Sequence, residues 1–495
     1  MTVYPLDFVP SFGGVAAETD TLLKEAFEDH RAYLDARAHS KFLILGRKGS
    51  GKSAIFRKIT DQTSSDILTI GLNFDDYPWH FHGKQKEEGV PAEQCYLRSW
   101  EYLIYLALAK LLLEHADLTC LTGAAPESWR QIQQFIEDTY GSTNPELTQV
   151  FSPSYELKIR GELGINWKLL QGKVSGERVP IAHLPVLFAD INKNVLGKIV
   201  NVVPSSKNIY ICFDGLDIGS SLNADDYEHR LMGLIQTARR INRALHDAGK
   251  AATAVLFLRD DIYGRLRFED KNKVTTESSV SIRWDSASLK RLMERRFAKT
   301  LNIPIQGAWA DVFDDTKKMP GKQEKLAYIA DRTFLRPRDM IMFCNKILEA
   351  YKESEAERGA KFSNQDLHHA RESYSHWLRS ELDDELPRNV PNYEKYMELL
   401  RHIGSLGFSR DRFLAACDER KDLVSDTMRP IDILKSLFDF SIIGYYRPGG
   451  RGQGGAEYVW NYRSTNVLFN EHAQSFRTHP GLQETLGVKM WTTAS

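Results

Sequence analysis

Cysteine is scarce in this chain. Five occur in 495 residues, Cys95, Cys120, Cys212, Cys344 and Cys417, odd in number, scattered and never in a C-x-x-C pair. This excludes a disulfide framework and a cysteine-based zinc site, and it predicts a reducing compartment. A charge bias is missing as well. With 65 basic and 66 acidic side chains the formal charge is -1, so no global field calls for a nucleic acid or a membrane, and any such contact is local. No apolar stretch approaches the ~18 residues of a membrane span. Met1-Thr2-Val3-Tyr4-Pro5-Leu6-Asp7 lacks the basic and apolar regions of a secretory leader. The expectation is a cytoplasmic protein with no membrane partner, long enough for roughly two to four domains.

Against that plain background one segment stands out. Gly46-Arg47-Lys48-Gly49-Ser50-Gly51-Lys52-Ser53 follows the apolar run Phe42-Leu43-Ile44-Leu45 and precedes Ala54-Ile55-Phe56-Arg57-Lys58-Ile59. The order is strand, phosphate loop, helix. Gly46, Gly49 and Gly51 let backbone N–H groups converge on phosphate oxygens, and the helix adds its positive N-terminal end. Lys52 is a point charge for the β- and γ-phosphates, and the Ser53 hydroxyl is placed to ligate Mg²⁺. A Gly-rich turn that merely opens a helix leaves the Lys-Ser pair unexplained. The predicted ligands are a nucleoside triphosphate and Mg²⁺. Guanine reading is not expected, because Asn192-Lys193-Asn194-Val195 does not complete an Asn-Lys-x-Asp motif; ATP and ADP are the expected nucleotides. A small-molecule kinase is disfavoured by the absence of a compact form and an obvious acceptor site.

Downstream, Ile67 to Phe74 reads as a second strand, and a parallel sheet is starting. Helices follow over Trp100 to Leu113 and over 126 to 140, and alternation over 155 to 178 suggests a hairpin. Asn208-Ile209-Tyr210-Ile211-Cys212-Phe213-Asp214-Gly215-Leu216-Asp217 is an apolar strand that ends in carboxylates. A buried strand carries no charge cheaply, so an Asp at its tip belongs where the sheet opens toward ligand. Asp214 is the candidate for the Mg²⁺ shell and Asp217 for orienting or deprotonating the attacking water, the alternative being a turn that caps the helix 225 to 246. Ala254-Val255-Leu256-Phe257-Leu258 ends in Arg259-Asp260-Asp261. Arg259 either touches the γ-phosphate or pairs with Asp260 or Asp261. Leu289 to Phe297 is a basic amphipathic helix, a solvated face or a carrier of an arginine finger on Arg295 or Arg296. Arg336-Pro337-Arg338-Asp339 opens another helix, leaving two arginines that need an anion near its positive end.

These motifs in this order resemble the AAA+ and STAND-like group of P-loop ATPases, over about residues 20 to 350. The resemblance implies that Asp214 with Asp217 forms the acidic strand end, that Arg259 senses the terminal phosphate, and that Arg336 or Arg338 senses it from a small helical lid. Lys52, Asp214, Asp217 and Arg259 are then the catalytic set. Gly46, Arg47, Lys48, Gly49, Ser50, Gly51, Lys52, Ser53, Arg336 and Arg338 contact nucleotide, and Ser53 with Asp214 holds the metal. Two departures are visible: the chain between loop and Asp214 far exceeds one βαβ unit, and Gly215 stands where the group's adjacent acidic pair continues.

Past a charged linker at 352 to 361, helical patterns at 365 to 383, 393 to 404, 409 to 420 and 430 to 439 precede two alternating segments, Ile442 to Arg447 and Ala456 to Arg463. Helices followed by a ribbon look like a winged helix, whose Arg447, Arg451 and Arg463 could reach phosphate; without a Lys cluster, a structural or protein-docking role is favoured. The expected fold is α/β: a P-loop NTPase parallel sheet with a helical insertion, a helical lid and a C-terminal winged-helix-like domain. Expected domains are an ATPase core over 1–300 with 75–185 inserted, a lid over 301–361 and a C-terminal domain over 362–495. The expected function is an ATP-hydrolysing switch with slow or partner-stimulated turnover, controlling assembly as a homo-oligomer or a protein effector, as the resemblance implies for prokaryotic defence and signalling systems. The alternative is a DNA-dependent motor or loader.

Overall fold

Strands that carry apolar side chains in unbroken runs need cover on both faces, which places them in a parallel sheet between helices. The structure, a computed structural model, describes residues 3–489 apart from 63, 75–91, 116–122, 145–156, 159–177, 180–183, 218–223, 355–358, 387–389, 391, 425–427, 450–454 and 464–466. It divides into two units, one of residues 29–282 and one of 1–28 with 283–495.

In the first unit, helix α1 (Arg31–Arg37) precedes strand β1 (Leu43–Leu45), helix α2 (Lys52–Thr60) and strand β2 (Ile67–Asn73). Helices α3 (Ala92–His115) and α4 (Ala125–Tyr140) follow, then two short strands, β3 (Leu157–Lys158) and β4 (Arg178–Val179), which pair antiparallel. The rest of the hairpin expected over 155–178 and much of the insertion at 75–185 lie outside the described residues. Next come α5 (Leu184–Val202), β5 (Asn208–Asp214), α6 (Ala224–Asp247), β6 (Ala252–Leu258), α7 (Asp260–Arg265) and β7 (Ser279–Ser281). Among the described residues five strands form a parallel sheet in the order β2-β5-β6-β1-β7.

The period of two along each strand divides the sheet's cover. Ile209, Ile211 and Phe213 of β5 and Ala254, Leu256 and Leu258 of β6 share one core with Trp100, Leu103 and Leu108 of α3 and with α5 and α6. The alternate residue Phe257 meets Phe56 of α2 edge to face at 5.9 Å. Helix α3 is apolar nearly all round, as a helix buried on most sides must be; its Trp100 indole donates to the Arg230 carbonyl at 2.9 Å.

The second unit begins with α8 (Ser286–Leu301), capped by Asp285, whose carboxylate accepts from the Ser288 N–H at 2.7 Å. After α9 (Ala308–Val312) and α10 (Lys325–Ala330), α11 (Pro337–Glu353) packs on α12 (Asn364–Glu385), with Phe343 stacked on Tyr374 at 4.1 Å. Then come α13 (Tyr393–Ile403), β8 (Gly407–Ser409), α14 (Arg410–Glu419), α15 (Pro430–Asp439), β9 (Ile443–Arg447), β10 (Glu457–Val459), β11 (Ser475–Thr478) and α16 (Gln483–Leu486). The four strands form an antiparallel sheet ordered β10-β9-β11-β8. The ribbon strand expected from 456 to 463 stops at Val459, because Trp460 turns inward against Gly444 and within 5.3 Å of the His479 ring. Phe334 lies 4.4 Å from the same imidazole and Arg463 pairs with Asp331 at 3.2 Å, so the 330s loop and the antiparallel sheet share one core.

Residues 1–28 belong to this second unit. Leu6, Val9 and Phe12 are buried in its core, and Asp20 meets Arg296 at 2.5 Å with both side chains 3% exposed. Arg296 also donates to the Phe12 carbonyl at 2.9 Å. Asp20→Ala leaves a buried guanidinium without that anion, and we expect it to cost about 3 kcal/mol of stability, read as a lower denaturant midpoint with an unchanged slope. A midpoint equal to wild type would show that this ion pair does not anchor the N-terminal segment.

Candidate nucleotide site

Strand β1 is buried along its length and stops at Leu45, where the Gly46 N–H donates to the Leu258 carbonyl at 3.1 Å. The loop that follows is shaped by close approach and by two left-handed glycines, Gly49 at φ 77 and Gly51. A Cβ on Gly46 would lie 2.4 Å from the Ser50 hydroxyl oxygen, and Gly51 takes φ 101 as the residue before α2. Helix α2 therefore begins at Lys52, aiming its first backbone N–H groups and the positive end of its dipole out of the carboxyl edge of the sheet. The Lys52 ammonium curls back to donate to the Gly46 carbonyl at 3.1 Å and the Arg47 carbonyl at 3.2 Å. Burial lowers its pKa, against the pull of Asp217 and Asp214.

Strand β5 delivers its acid to the same place. The Ser53 hydroxyl donates to the Asp214 carboxylate, which also accepts from the Gly215 N–H. Burial nonetheless raises the Asp214 pKa, outweighing Ser53 and the Lys52 charge. A carboxylate whose charge is penalised by its surroundings is a group that a cation relieves. Among the described residues no cluster of three or more His, Cys, Asp or Glu side chains forms a metal cage. The Ser53 and Asp214 oxygens instead suit Mg²⁺, which takes few protein ligands and keeps waters and phosphate oxygens for the rest of its shell.

Beyond Asp214 the chain turns through Gly215 and Leu216, and the Tyr227 hydroxyl of α6 donates to the Leu216 carbonyl at 2.9 Å. The turn presents Asp217, 41% exposed, to Arg259 Nη1 at 3.8 Å. Arg259 follows β6 as the N-cap residue of α7, and its guanidinium grips Asp261 through Nε at 3.0 Å and Nη2 at 2.8 Å. Burial pushes the Asp261 carboxyl up, but the hydrogen bonds and charge of Arg259 prevail and hold it below the ordinary carboxylate range. Asp260 lies 4.0 Å from Arg47 of the loop. Asn73 ends β2 in register with Asp214, and its signal in the sequence is a polar residue closing an apolar strand.

The structure thus brings together Gly46 to Ser53, Asp214, Asp217 and Arg259. Arg336 and Arg338 belong to the other unit, where each has a carboxylate. Arg336, 6% exposed, contacts Asp339 through Nε at 2.9 Å and Nη2 at 2.8 Å, and Arg338 meets Glu381 at 2.9 Å. Neither Arg295 nor Arg296 is presented as a finger: Glu28 holds Arg295 at 2.8 Å and Asp20 holds Arg296. Of the ribbon arginines, Arg447 pairs with Glu457 and Arg463 with Asp331, while Arg451 lies outside the described residues. Among the described residues no helix is long and apolar enough to cross a membrane.

Residues 287–383 match the family described as the FunZ-associated C-terminal helical domain. Over 408 residues the chain is 24% identical to the putative transposon gamma-delta 80.3 kDa protein of Escherichia coli (strain K12), covering 79% of this chain and 54% of that protein. It therefore spans about half the length of that curated relative. Similar solved structures include the Walker-type ATPase paby2304 of Pyrococcus abyssi, 13% identical with a TM-score of 0.35 over 97% of this chain and 99% of that one. The Aeropyrum pernix Orc1 protein in complex with DNA is 12% identical with a TM-score of 0.35, over 98% of this chain and 96% of that one. Cdc6p from Pyrobaculum aerophilum is 11% identical with a TM-score of 0.31, over 94% and 95%.

Proposed function

We propose that this protein is an ATPase that binds Mg·ATP at the loop Gly46 to Ser53 and hydrolyses it. The observation that carries this reading is the hydrogen bond from Ser53 to Asp214, which joins the phosphate loop to the tip of a strand far downstream. Backbone amides and Lys52 bind the polyphosphate, and Ser53 and Asp214 hold the metal, which when bound neutralises phosphate oxygens. Asp217 orients or deprotonates the attacking water, and Arg259 stabilises charge on the terminal phosphate. Arg336 and Arg338 are candidate phosphate sensors whose present carboxylate partners a nucleotide would have to displace.

The regulatory part of the reading is an AAA+ and STAND-like switch, in which nucleotide state controls assembly or a protein effector in a prokaryotic defence or signalling system. It rests on the motif resemblance. The second unit's order of α13, β8, α14, α15, β9 and β10 supports a winged helix. Helix α15 supports a protein contact over DNA, because Arg429 at its start is paired with Asp432 at 2.8 Å and is thereby drawn from phosphate.

Calorimetric titration of the purified protein with Mg·ATP and Mg·ADP tests the site, and release of radiolabelled phosphate with and without DNA tests the reaction. We expect saturable nucleotide binding and slow turnover unaffected by DNA. Absence of any adenine nucleotide uptake would end the proposal, whereas strong, salt-sensitive stimulation by DNA would replace the switch with a DNA-dependent motor or loader.

A further inference from the structure

An arginine that reads a terminal phosphate must present a particular edge, because its guanidinium is a planar fork whose donors point in fixed directions. Arg259 sits at the junction of β6 and α7, and a long side chain in such a place has many rotamers, each costly to freeze. In this structure one edge is already committed. Nε and Nη2 lie 3.0 and 2.8 Å from the two Asp261 oxygens, a bidentate arrangement that sets the plane of the group as well as its position. The remaining nitrogen, Nη1, is then the one directed at Asp217, 3.8 Å away. Asp261 sits two residues after Arg259, at the start of α7, so the clamp is built into the backbone turn itself.

We propose that Asp261 is a positioning residue: it locks the guanidinium of Arg259 so that Nη1 is shared between Asp217 and the terminal phosphate of the bound nucleotide. The inference rests on the ATPase reading of this site and deepens it. In this structure Nη1 faces Asp217. A γ-phosphate, carrying more charge than one carboxylate, competes for the same nitrogen and releases Asp217 toward water, while a diphosphate leaves the Arg259 to Asp217 approach in place. Asp261 thereby makes the site distinguish a triphosphate from a diphosphate without itself touching either.

The test is titration of the full chain with Mg·ADP and with the magnesium complex of a non-hydrolysable ATP analogue, for wild type, Asp261→Asn, Asp261→Glu, Arg259→Ala and the double variant Asp261→Asn/Arg259→Ala. Asp261→Asn is expected to weaken the analogue about tenfold more than ADP, the size of one lost charged contact. Arg259→Ala should show the same selective loss, and the double variant should be no worse than Arg259→Ala alone, as two residues acting through one contact require. Asp261→Glu, which keeps the carboxylate, should recover part of the preference. Equal weakening of both nucleotides by Asp261→Asn, additive losses in the double variant, or an unchanged preference would overturn the proposal while ADP binding continued to report a working pocket. Binding of neither nucleotide by wild type would instead remove the ATPase reading, and this inference with it.

Discussion

Lys52→Ala is expected to weaken Mg·ATP binding by two to three orders of magnitude or more. The ammonium is half-buried and donates to the Gly46 and Arg47 carbonyls, so the alanine variant loses both the charge offered to the phosphates and the brace across the loop. Deleting one member of a poorly solvated charge constellation costs about 3–5 kcal/mol, which is about 10²–10⁴ in affinity. Alanine is a good helix former, so α2 itself should survive, and an unchanged far-ultraviolet spectrum would separate lost binding from lost fold. A second consequence has a sign that can be worked out. The Asp214 pKa is raised in the folded protein, so its ionisation costs stability, and the nucleotide-free protein loses stability as pH rises from the ordinary carboxylate range through the raised value. Metal-dependent binding strengthens over the same rise, since it needs the carboxylate. Lys52 is one of the influences holding that pKa down, so its removal moves the window to higher pH. Residual Mg·ATP binding in the variant should therefore go on improving to a higher pH than in wild type. An affinity within threefold of wild type at neutral pH would show that the loop does not grip phosphate through Lys52.

Asp217→Ala is expected to leave Mg·ATP binding within a few fold and to lower turnover by about 10²–10⁴, the usual effect of removing a positioned base. The geometry separates the two effects. Asp217 stands on the turn beyond β5, held by the Tyr227 contact to Leu216, and its nearest cation is Arg259 Nη1 at 3.8 Å, whereas Lys52 donates to the Gly46 and Arg47 carbonyls of the loop. Arg259 loses one carboxylate neighbour in the variant but keeps its fork on Asp261, so the phosphate-reading edge is retained. Single-turnover release of radiolabelled phosphate, compared with binding measured by calorimetry, reads the difference. A rate equal to wild type would take Asp217 out of the reaction and pass the role to another polar group at the sheet's edge, with Asn73 the nearest in register to Asp214.

Local signals carried most of the first unit. The phosphate loop is legible because all of its requirements fall within one stretch from Leu43 to Ile59: an apolar strand, glycines, a Lys-Ser pair and a helix. The strands at 208–214 and 252–258 are legible because residues buried on both faces form unbroken apolar runs that end in charge. Strand β7 has no such signal. Ser279-Val280-Ser281 contains one apolar residue, and it is a strand because its backbone pairs with Leu43 to Leu45. The arginines divide in the same way. Arg259 lies two residues from Asp261, and that pairing was among the alternatives visible in the sequence. Arg295 and Arg296 find Glu28 and Asp20 across more than 260 residues of chain, a separation at which spacing carries no information.

By itself the sequence determined the strand, glycine-rich loop and helix from Leu43 to Ile59 and the acidic and basic ends of the apolar strands at 208–214 and 252–258. These depend on near neighbours: backbone freedom at glycine, the desolvation cost that drives charge to a strand's tip, and helical or alternating burial. Only the tertiary structure decided that Ser53 hydrogen-bonds Asp214, that Asp261 clamps Arg259 beside Asp217, that the N-terminal 28 residues belong with the C-terminal unit, and that Arg296 and Arg336 are turned inward onto Asp20 and Asp339. The physical reason is that a side chain's partner is set by which surfaces the apolar core brings together, and a charge pairs with whatever opposite charge that packing leaves within reach.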